Sequence, residues 1–206
     1  DGDSIPDSLE DETPGLPDPS GAAPVAGDGN GDGVRDSTQA AVGSTSVVRG
    51  PTGESRSTPV TLVAGSQDGK VDPASGARIT RLKQEDAPAL PKGMEMPLGL
   101  LSFKATLATG RSSEKFSLYL DPALGVNGYW MQDGSGTWVN LSSAAYGGKM
   151  GSEGGRLRLD FEISDGGRFD ADGQANGAIT APGAAAQMPL SIVGLASDLA
   201  PNGFWL

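Results

Sequence analysis

Apolar and polar residues alternate with a period of two along much of the chain after about Val47. The clearest case is RLRLDFEI, residues 156–163, in which every second residue is a leucine, phenylalanine or isoleucine and the residues between them are charged. Successive side chains of a strand point to opposite faces of a sheet, so this pattern predicts a strand with one buried face. The charged face is expected to be solvated.

Other segments show related patterns and are further strand candidates: PVTLVA, ARITRL, LGLLSFKATL, KFSLYL, NGYWMQ, GTWVNL and MPLSIVG. Turns rich in glycine, aspartate and serine separate them, and no segment has a convincing amphipathic helical pattern. Many short strands without helices predict an all-β fold, specifically an antiparallel β-sandwich. The strands around Trp130 and Trp138, joined by a short DGSG turn, are predicted to form a hairpin.

Residues 1–42 differ from the rest of the chain. They contain few large apolar side chains, too few to bury a core of their own. They also hold ten of the 26 acidic residues and only one of the 15 basic ones. We therefore predict two parts, a loop-rich acidic extension over residues 1–42 and the sandwich over residues 43–206.

The residue types narrow the possible functions. The chain has no cysteine and no histidine, which removes disulfides, thiolate metal sites and histidine-based catalysis. Basic residues do not cluster, so nucleic acid is not an expected partner. No run of 18 apolar residues is present, so no membrane-spanning segment is predicted. The net charge of −11 favours cations as partners, and we expect no enzymatic activity.

The acidic extension contains an internal repeat. DGDSIPDSLE, residues 1–10, aligns with NGDGVRDSTQ, residues 30–39, at an offset of 29. Four of the ten positions are identical, and Ile5 aligns with Val34. Such a match makes an unstructured acidic linker a less favoured explanation than a repeated binding loop.

The second copy has oxygen ligands at the spacing of a calcium loop. Calcium takes six to eight oxygen ligands, which a loop can supply from positions 1, 3, 5, 9 and 12 and from the carbonyl at position 7. DGNGDGVRDSTQ, residues 28–39, fits this frame, with glutamine where a bidentate glutamate is usual. The candidate ligands are Asp28, Asn30, Asp32, Val34, Asp36 and Gln39.

In the same frame the first copy begins at position 3. Its candidate ligands are Asp1, Asp3, Ile5, Asp7 and Glu10, and the residue for position 1 would precede Asp1. The first site is therefore either incomplete or completed from elsewhere, for example by Asp11 or Glu12.

A third acidic loop, SDGGRFDADGQANG, follows the strongest predicted strand. Its candidate calcium ligands are Asp165, Asp170, Asp172 and Asn176, and its glycines permit tight turns. The alternative is a glycine-rich loop whose Asp and Asn side chains cap its own backbone.

Two resemblances extend these predictions. DGDSIPDSLE and DGNGDGVRDS resemble thrombospondin type 3 repeats, which implies calcium ions wrapped by residues 1–40 in a stiffened stalk. The series from DAPALPKGMEMPLGLLSF through SLYLDPALGVNGYW to DGGRFDADGQANGAITAPG is similar to the bacterial choice-of-anchor U domain over about residues 58–185. That resemblance implies an exported bacterial surface protein without catalytic activity.

Other features have more ordinary interpretations. Asp160 and Glu162 would suggest glycoside hydrolysis if they faced each other across a cleft, but they alternate on one polar strand face. An aromatic cluster that would stack on sugars is more simply explained as core or cross-strand packing. Its members are Tyr129, Trp130, Trp138 and Tyr146.

The sequence therefore favours a non-enzymatic, extracellular, calcium-stabilised module of a bacterial cell surface, used in adhesion or display. One alternative is a subunit of an extracellular filament or sheath, in which STSVVRGPT and SDLAPNGFWL add to the sheet edges of other copies. Another is a carbohydrate-binding module that recognises surface glycans with its aromatic hairpin.

Overall fold

The computed structural model describes residues 1–17, 20–21, 23–50 and 56–189. Within these ranges the strands are β1 (Val42–Val48), β2 (Ser57–Ala64), β3 (Ser66–Gln67), β4 (Lys70–Val71), β5 (Arg78–Glu85), β6 (Leu100–Thr106), β7 (Ser113–Leu120), β8 (Gly128–Gln132), β9 (Trp138–Asn140), β10 (Lys149–Glu153), β11 (Arg156–Ser164) and β12 (Ala178–Ala186). The helical segments are short: α1 (Asp7–Glu10) and 3-10 turns at Asp36–Thr38, Pro122–Leu124 and Ala144–Tyr146. None of the helices in the described ranges is long and apolar enough to cross a membrane.

The strands form two five-stranded antiparallel sheets, and this arrangement confirms the predicted all-β sandwich class. The first sheet has the order β1-β2-β7-β11-β10, and the second has the order β5-β6-β12-β8-β9. Strands β3 and β4 form a separate small hairpin. Strands β1 and β10 are therefore the edges of the first sheet, and β5 and β9 are the edges of the second.

The core between the sheets is centred on four aromatic rings. Phe116 and Phe161 come from the first sheet and are 5.5 Å apart between ring centroids. Phe103 of the second sheet lies 4.8 Å from Phe116, and Tyr129 stacks on Phe161 at 3.9 Å. These contacts join the two sheets through the alternate apolar positions that the sequence pattern identifies.

Strand β11 confirms the alternation on which its prediction rests. Leu159, Phe161 and Ile163 are buried, and Glu162 on the opposite face is exposed. That opposite face is not solvated throughout, because Arg158 is only 8% exposed and forms ion pairs with Glu153 and Asp160. The predicted hairpin is also confirmed, since β8 and β9 pair antiparallel around the short turn.

Two strands lack the signals used to predict strands. Strand β12 has the sequence AITAPGAAA, whose small residues show no alternation of large apolar and polar side chains. It contains Pro182, which pairs with Ser102 of β6. Strand β8 pairs only with residues 184–186 of β12, so Pro182 has a paired neighbour on the β6 side alone. Strand β10 is an exposed edge strand with little apolar character. The predicted strand MPLSIVG lies mostly outside the described residues, and its described part is not a strand.

The acidic extension packs against the sandwich. Ile5 belongs to the main core cluster, and Leu16 packs with Val42, Val63 and Tyr119 on the outer face of the first sheet. Its apolar residues are too few for a core of their own, as the sequence indicates, but Ile5 and Leu16 are buried against the sandwich, whereas Leu9, Val25 and Val34 are exposed. Strand β1 begins at Val42, so the polypeptide passes directly from the extension into the sheet.

The extension lies beside the seam between the two sheets, where the edge strands β1 and β5 meet. Gln84 of β5 crosses this seam: its amide donates to the carbonyl of Val48 at 2.6 Å and accepts from the Val48 N–H at 3.0 Å. Farther along the seam the extension makes the contacts, because the Ile79 N–H donates to the carbonyl of Ala40 at 2.7 Å. The sandwich is thus closed on this side partly by residues 1–42.

A candidate cation-binding site at the edge of β1

The two copies of the sequence repeat have the same local backbone. The Asp3 carboxylate accepts from the Ile5 N–H at 2.7 Å, and the Asp32 carboxylate accepts from the Val34 N–H at 2.9 Å. Positive φ angles occur at equivalent places, 93° at Gly2 and 66° at Gly31. Each copy ends in a short helical turn that begins at its second conserved aspartate. The offset of 29 residues is therefore a structural repeat as well as a sequence repeat.

Five of the six ligands predicted for the second copy meet within its loop. Asp28 accepts from the N–H groups of Asp32 at 3.1 Å and Gly33 at 2.9 Å. The Gln39 amide donates to the Asp32 carboxylate at 2.9 Å and to the Val34 carbonyl at 3.1 Å. Because an N–H donor and a cation compete for the same oxygens, cation binding would require Gln39 to present its amide oxygen instead.

Asp36, the sixth ligand predicted for this loop, contacts a residue of the sandwich. One of its oxygens accepts from the Gly29 N–H at 2.8 Å and from the Ser44 hydroxyl of β1 at 2.5 Å. The Ser44 N–H donates to the Glu10 carboxylate of the first copy at 3.0 Å. Ser44 therefore holds one carboxylate from each copy of the repeat, and the two copies meet at the edge of β1.

The first copy brings three of its predicted ligands together. Asp1, Asp7 and Glu10 each offer an oxygen within 4.8 Å of the others. Neither proposed substitute for the missing ligand belongs to this group: Glu12 is exposed, and Asp11 accepts a hydrogen bond from Ser37 at 2.7 Å. One acid of the second copy is linked to this site in the structure: Asp36, which shares Ser44 with Glu10.

Burial without an ion-pair partner in the described ranges distinguishes these acids from ordinary surface carboxylates. Asp3, Glu10, Asp28 and Asp36 are buried, and no lysine or arginine in the described ranges forms an ion pair with any of them. Four carboxylate oxygens in this cluster are buried and make no hydrogen bond within the described chain: Asp1 Oδ2, Asp3 Oδ2, Glu10 Oε2 and Asp36 Oδ1. Buried charged oxygens are costly unless a proton or a cation satisfies them.

The pKa values of these acids shift accordingly. Burial, together with the neighbouring carboxylates of Asp3 and Asp36, raises the pKa of Glu10 to about 7. Burial likewise raises the pKa of Asp36 to about 7, although hydrogen bonds from Ser44 and Gly29 oppose the shift. The pKa values of Asp3 and Asp28 are also raised by burial. In the absence of a cation, protonation is the means by which this cluster is neutralised.

The donor set fits a hard divalent cation. Every candidate ligand is an oxygen of a carboxylate, an amide or a backbone carbonyl, which suits Ca²⁺ better than metals that prefer nitrogen or sulfur. The unpartnered oxygens of both copies provide the negative charge for such an ion. The residues that would hold Ca²⁺ are thus the predicted ligands of the two copies, and Asp36 lies at the same serine, Ser44, as Glu10.

The third acidic loop has a different structure. Each of its aspartates caps backbone N–H groups: Asp165 accepts from Asn176 and Gly177, Asp170 from Gly166 and Thr180, and Asp172 from Gln174. The Asn176 oxygen accepts from the Ala178 N–H at 3.0 Å. This hydrogen bonding is that of the backbone-capping alternative, and no oxygen of Asp165, Asp170 or Asp172 is buried without a partner.

Replacing Asp170 is expected to destabilise the protein equally with and without calcium. Asp170 is buried, and its two oxygens accept from Gly166 and Thr180 at 2.9 Å each. In Asp170→Asn an amide donor would face one of these N–H donors, at a cost of about 1–3 kcal/mol. Urea unfolding in calcium and in chelator should show the same loss, whereas a loss confined to calcium buffer would indicate that Asp170 binds the ion.

The other sequence candidates do not form an exposed site. Tyr129 is buried against Phe161, and Trp130 packs in a small cluster on Met94 and Met96, as the packing interpretation expects. Tyr146 remains 41% exposed. Asp160 accepts from Ser117 at 2.6 Å and forms an ion pair with Arg158.

Sequence reasoning missed Ser44 and Thr61. These residues pair across β1 and β2, and their hydroxyls lie 2.7 Å apart beside Asp36. One sequence signal points to this region. PVTLVA has apolar residues on both faces of its strand, at Leu62 and Val63, which indicates that other parts of the protein pack on both faces of this strand. The cover on the outer face is Leu16 of the acidic extension.

Comparisons of the chain with protein-family models, with curated proteins and with solved structures found no match.

Proposed function

We propose that this chain is a non-enzymatic structural module of the bacterial cell exterior, in which Ca²⁺ bound by residues 1–39 completes the fold. The observation that supports this most strongly is the pair of buried carboxylates at Ser44, Glu10 and Asp36, which form no ion pair within the described residues and each leave one oxygen without a hydrogen bond there. Cation binding offsets their mutual repulsion and their desolvation together, and in the described ranges Arg156 interacts electrostatically with Asp36 without forming an ion pair with it.

The chemistry of the site supports calcium and an external location. Oxygen-only ligands of high charge suit Ca²⁺, and weak extracellular sites operate at millimolar calcium. A bound ion stabilises the folded state by RT ln(1 + [L]/Kd), which is about 2.7 kcal/mol at one hundred times Kd. A cytosol depleted of calcium would not provide that stabilisation.

The resemblances to thrombospondin type 3 repeats and to the choice-of-anchor U domain support the same setting. The packing of Ile5 and Leu16 modifies the expected stalk, because it attaches the acidic extension to the sandwich. We infer that the ions brace the sandwich itself and thereby keep a surface module rigid for adhesion or display. The absence of cysteine and histidine from the chain is consistent with a structural rather than a catalytic role.

Calcium is expected to raise the melting temperature of the protein by about 5–10 °C for each site filled at one hundred times Kd. The measurement is differential scanning calorimetry of metal-free protein in millimolar CaCl₂, in MgCl₂ at the same ionic strength, and in chelator. Limited proteolysis should cut residues 1–42 only in chelator. Equal melting temperatures and equal proteolysis in calcium and chelator would refute the proposed function.

The filament alternative meets an obstacle at β1. STSVV lies in this edge strand, but the N–H groups of Ser44 and Val48 already donate to Glu10 and Gln84. An added strand would have to displace both side chains. The other proposed segment, SDLAPNGFWL, lies outside the described residues.

A further inference from the structure

We propose that the seam between β1 and β5 is a docking surface for residues 1–10, and that a divalent cation determines whether these residues occupy it. We call residues 1–10 the N-terminal latch. This inference rests on the proposed function, since it requires that the latch binds a cation. It adds a defined conformational consequence, which is local opening of the sandwich at this seam.

The latch has an apolar residue that fits the seam. Ile5 is buried in the main core, and its Cδ1 lies 3.4 Å from the position that a Cβ would take on Gly43 of β1. The same position is 3.7 Å from Ile79 of β5, so Ile5 contacts the region where both edge strands meet. A glycine at position 43 leaves the space that the latch fills, because Asp3 Oδ2 would lie only 2.9 Å from an added Cβ.

Polar contacts tie the latch to both edge strands. On the β5 side, the Ser4 hydroxyl donates to the carbonyl of Thr80 at 3.1 Å, and Arg78 donates to the carbonyl of Asp1 at 3.3 Å. On the β1 side, the Ser44 N–H donates to Glu10 at 3.0 Å. Thr80 lies at a register irregularity in the β5–β6 pairing, so its carbonyl is available to a partner outside the sheet.

The charge of the latch opposes its own docking. Residues 1–10 carry Asp1, Asp3, Asp7 and Glu10 and no basic residue, and docking brings Glu10 to the serine that also binds Asp36. Arg78 reaches the carbonyl of Asp1, and among the described residues no ion pair offsets the carboxylates of the latch. A cation bound to the latch removes this repulsion, so bound cation and docked latch stabilise each other.

The opening is expected to stay local. Strands β7 and β11 pair over eight residues in the middle of the first sheet, and β6 pairs with both β5 and β12 in the second. The latch is held by a few side-chain contacts and one buried isoleucine. Segments with few contacts open at lower free energy than the ladders beneath them.

Hydrogen exchange of the full chain, followed by mass spectrometry in calcium and in chelator, tests this proposal. Chelation is expected to accelerate exchange at Ser44, whose N–H donates to Glu10 of the latch, by about 30-fold or more. Exchange in β7 and β11 should change by less than about threefold. Uniform acceleration across both sheets, or an unchanged seam in protein that titration calorimetry shows to bind calcium, would overturn the latch while leaving the proposed function in place.

The repeat provides a matched pair of variants. Ile5→Ala retains the backbone carbonyl that would bind the cation but removes the side chain that fills the seam, so Ser44 should exchange about tenfold faster even in calcium. Val34→Ala alters the equivalent residue of the second copy, which is 48% exposed, and should leave exchange at the seam unchanged. Equal effects of the two variants would overturn the docking role of Ile5. Absence of calcium binding in the unaltered chain would refute the latch and the proposed function together.

Discussion

In the absence of divalent cations, the protein is expected to lose stability as the pH rises from about 4.5 to about 7. Burial raises the pKa of Glu10 from 4.5 to about 7 and that of Asp36 from 3.8 to about 7. The folded protein therefore binds more protons than the unfolded chain in this range, and the free energy of unfolding falls as the pH rises. At about 1.4 kcal/mol for each pKa unit, Glu10 alone accounts for a loss on the order of 3 kcal/mol.

Calcium is expected to reverse this pH dependence. Cation binding requires deprotonated ligands, so calcium affinity should increase over the same pH range in which the cation-free protein weakens. Urea unfolding at intervals between pH 4 and pH 8, in calcium and in chelator, measures both curves. The two curves should meet near pH 4.5 and diverge as the pH rises, and parallel curves would contradict the assignment of Glu10 and Asp36 to a cation site.

Other titrating groups do not hide the effect. The pKa values of Asp133 and Asp172 are lowered, chiefly by hydrogen bonds from Ser135 and from the Gln174 N–H respectively, so their contributions disappear only below about pH 4. Burial raises the pKa of Glu114, which adds to the loss of stability. Glu114 lies outside the acidic repeat and contributes in calcium and in chelator alike, so the difference between the two curves isolates the repeat.

The strands that could be predicted are those whose large side chains face the core. RLRLDFEI and NGYWMQ supply Phe161 and Tyr129 to the stacked aromatic core, and both segments are strands. Strand β12, AITAPGAAA, gave no such signal. It is a central strand made of small residues, and such a strand shows no alternation of apolar and polar positions from which it could be predicted. The pairing of β12 with β6 and β8 is a tertiary property that the local sequence does not encode.

The candidate site divides in a similar way. The two copies share one local feature in the structure, since the same Asx hydrogen bond forms at Asp3 and Asp32. The contact between Asp36 and Ser44 depends on how the extension docks, which no spacing within the repeat specifies. The third loop has the same residue types, but none of its aspartates has a buried oxygen without a hydrogen bond in the described chain, whereas Asp36 of the second copy does. Composition alone does not separate these two arrangements of aspartate.

Glu10→Gln is expected to stabilise the cation-free protein at pH 8 and to weaken its response to calcium. Glutamine has nearly the same shape, and its oxygen can still accept from the Ser44 N–H, while its amide can donate to the carboxylates nearby. Removing the buried charge should raise the free energy of unfolding in chelator by about 2 kcal/mol. The same change removes a charged calcium ligand, so the calcium-induced rise in melting temperature should shrink.

Asp170→Asn is the matched control, because it also replaces a buried carboxylate with its amide. Both oxygens of Asp170 accept backbone N–H groups, whereas Glu10 Oε2 has no hydrogen-bond partner in the described chain. The two variants should therefore shift the unfolding midpoint in chelator in opposite directions, and only Glu10→Gln should alter calcium binding measured by titration calorimetry. A Glu10→Gln protein that is less stable in chelator than the unaltered chain would show that the Glu10 charge is already compensated, which would remove the physical basis for a cation at the edge of β1.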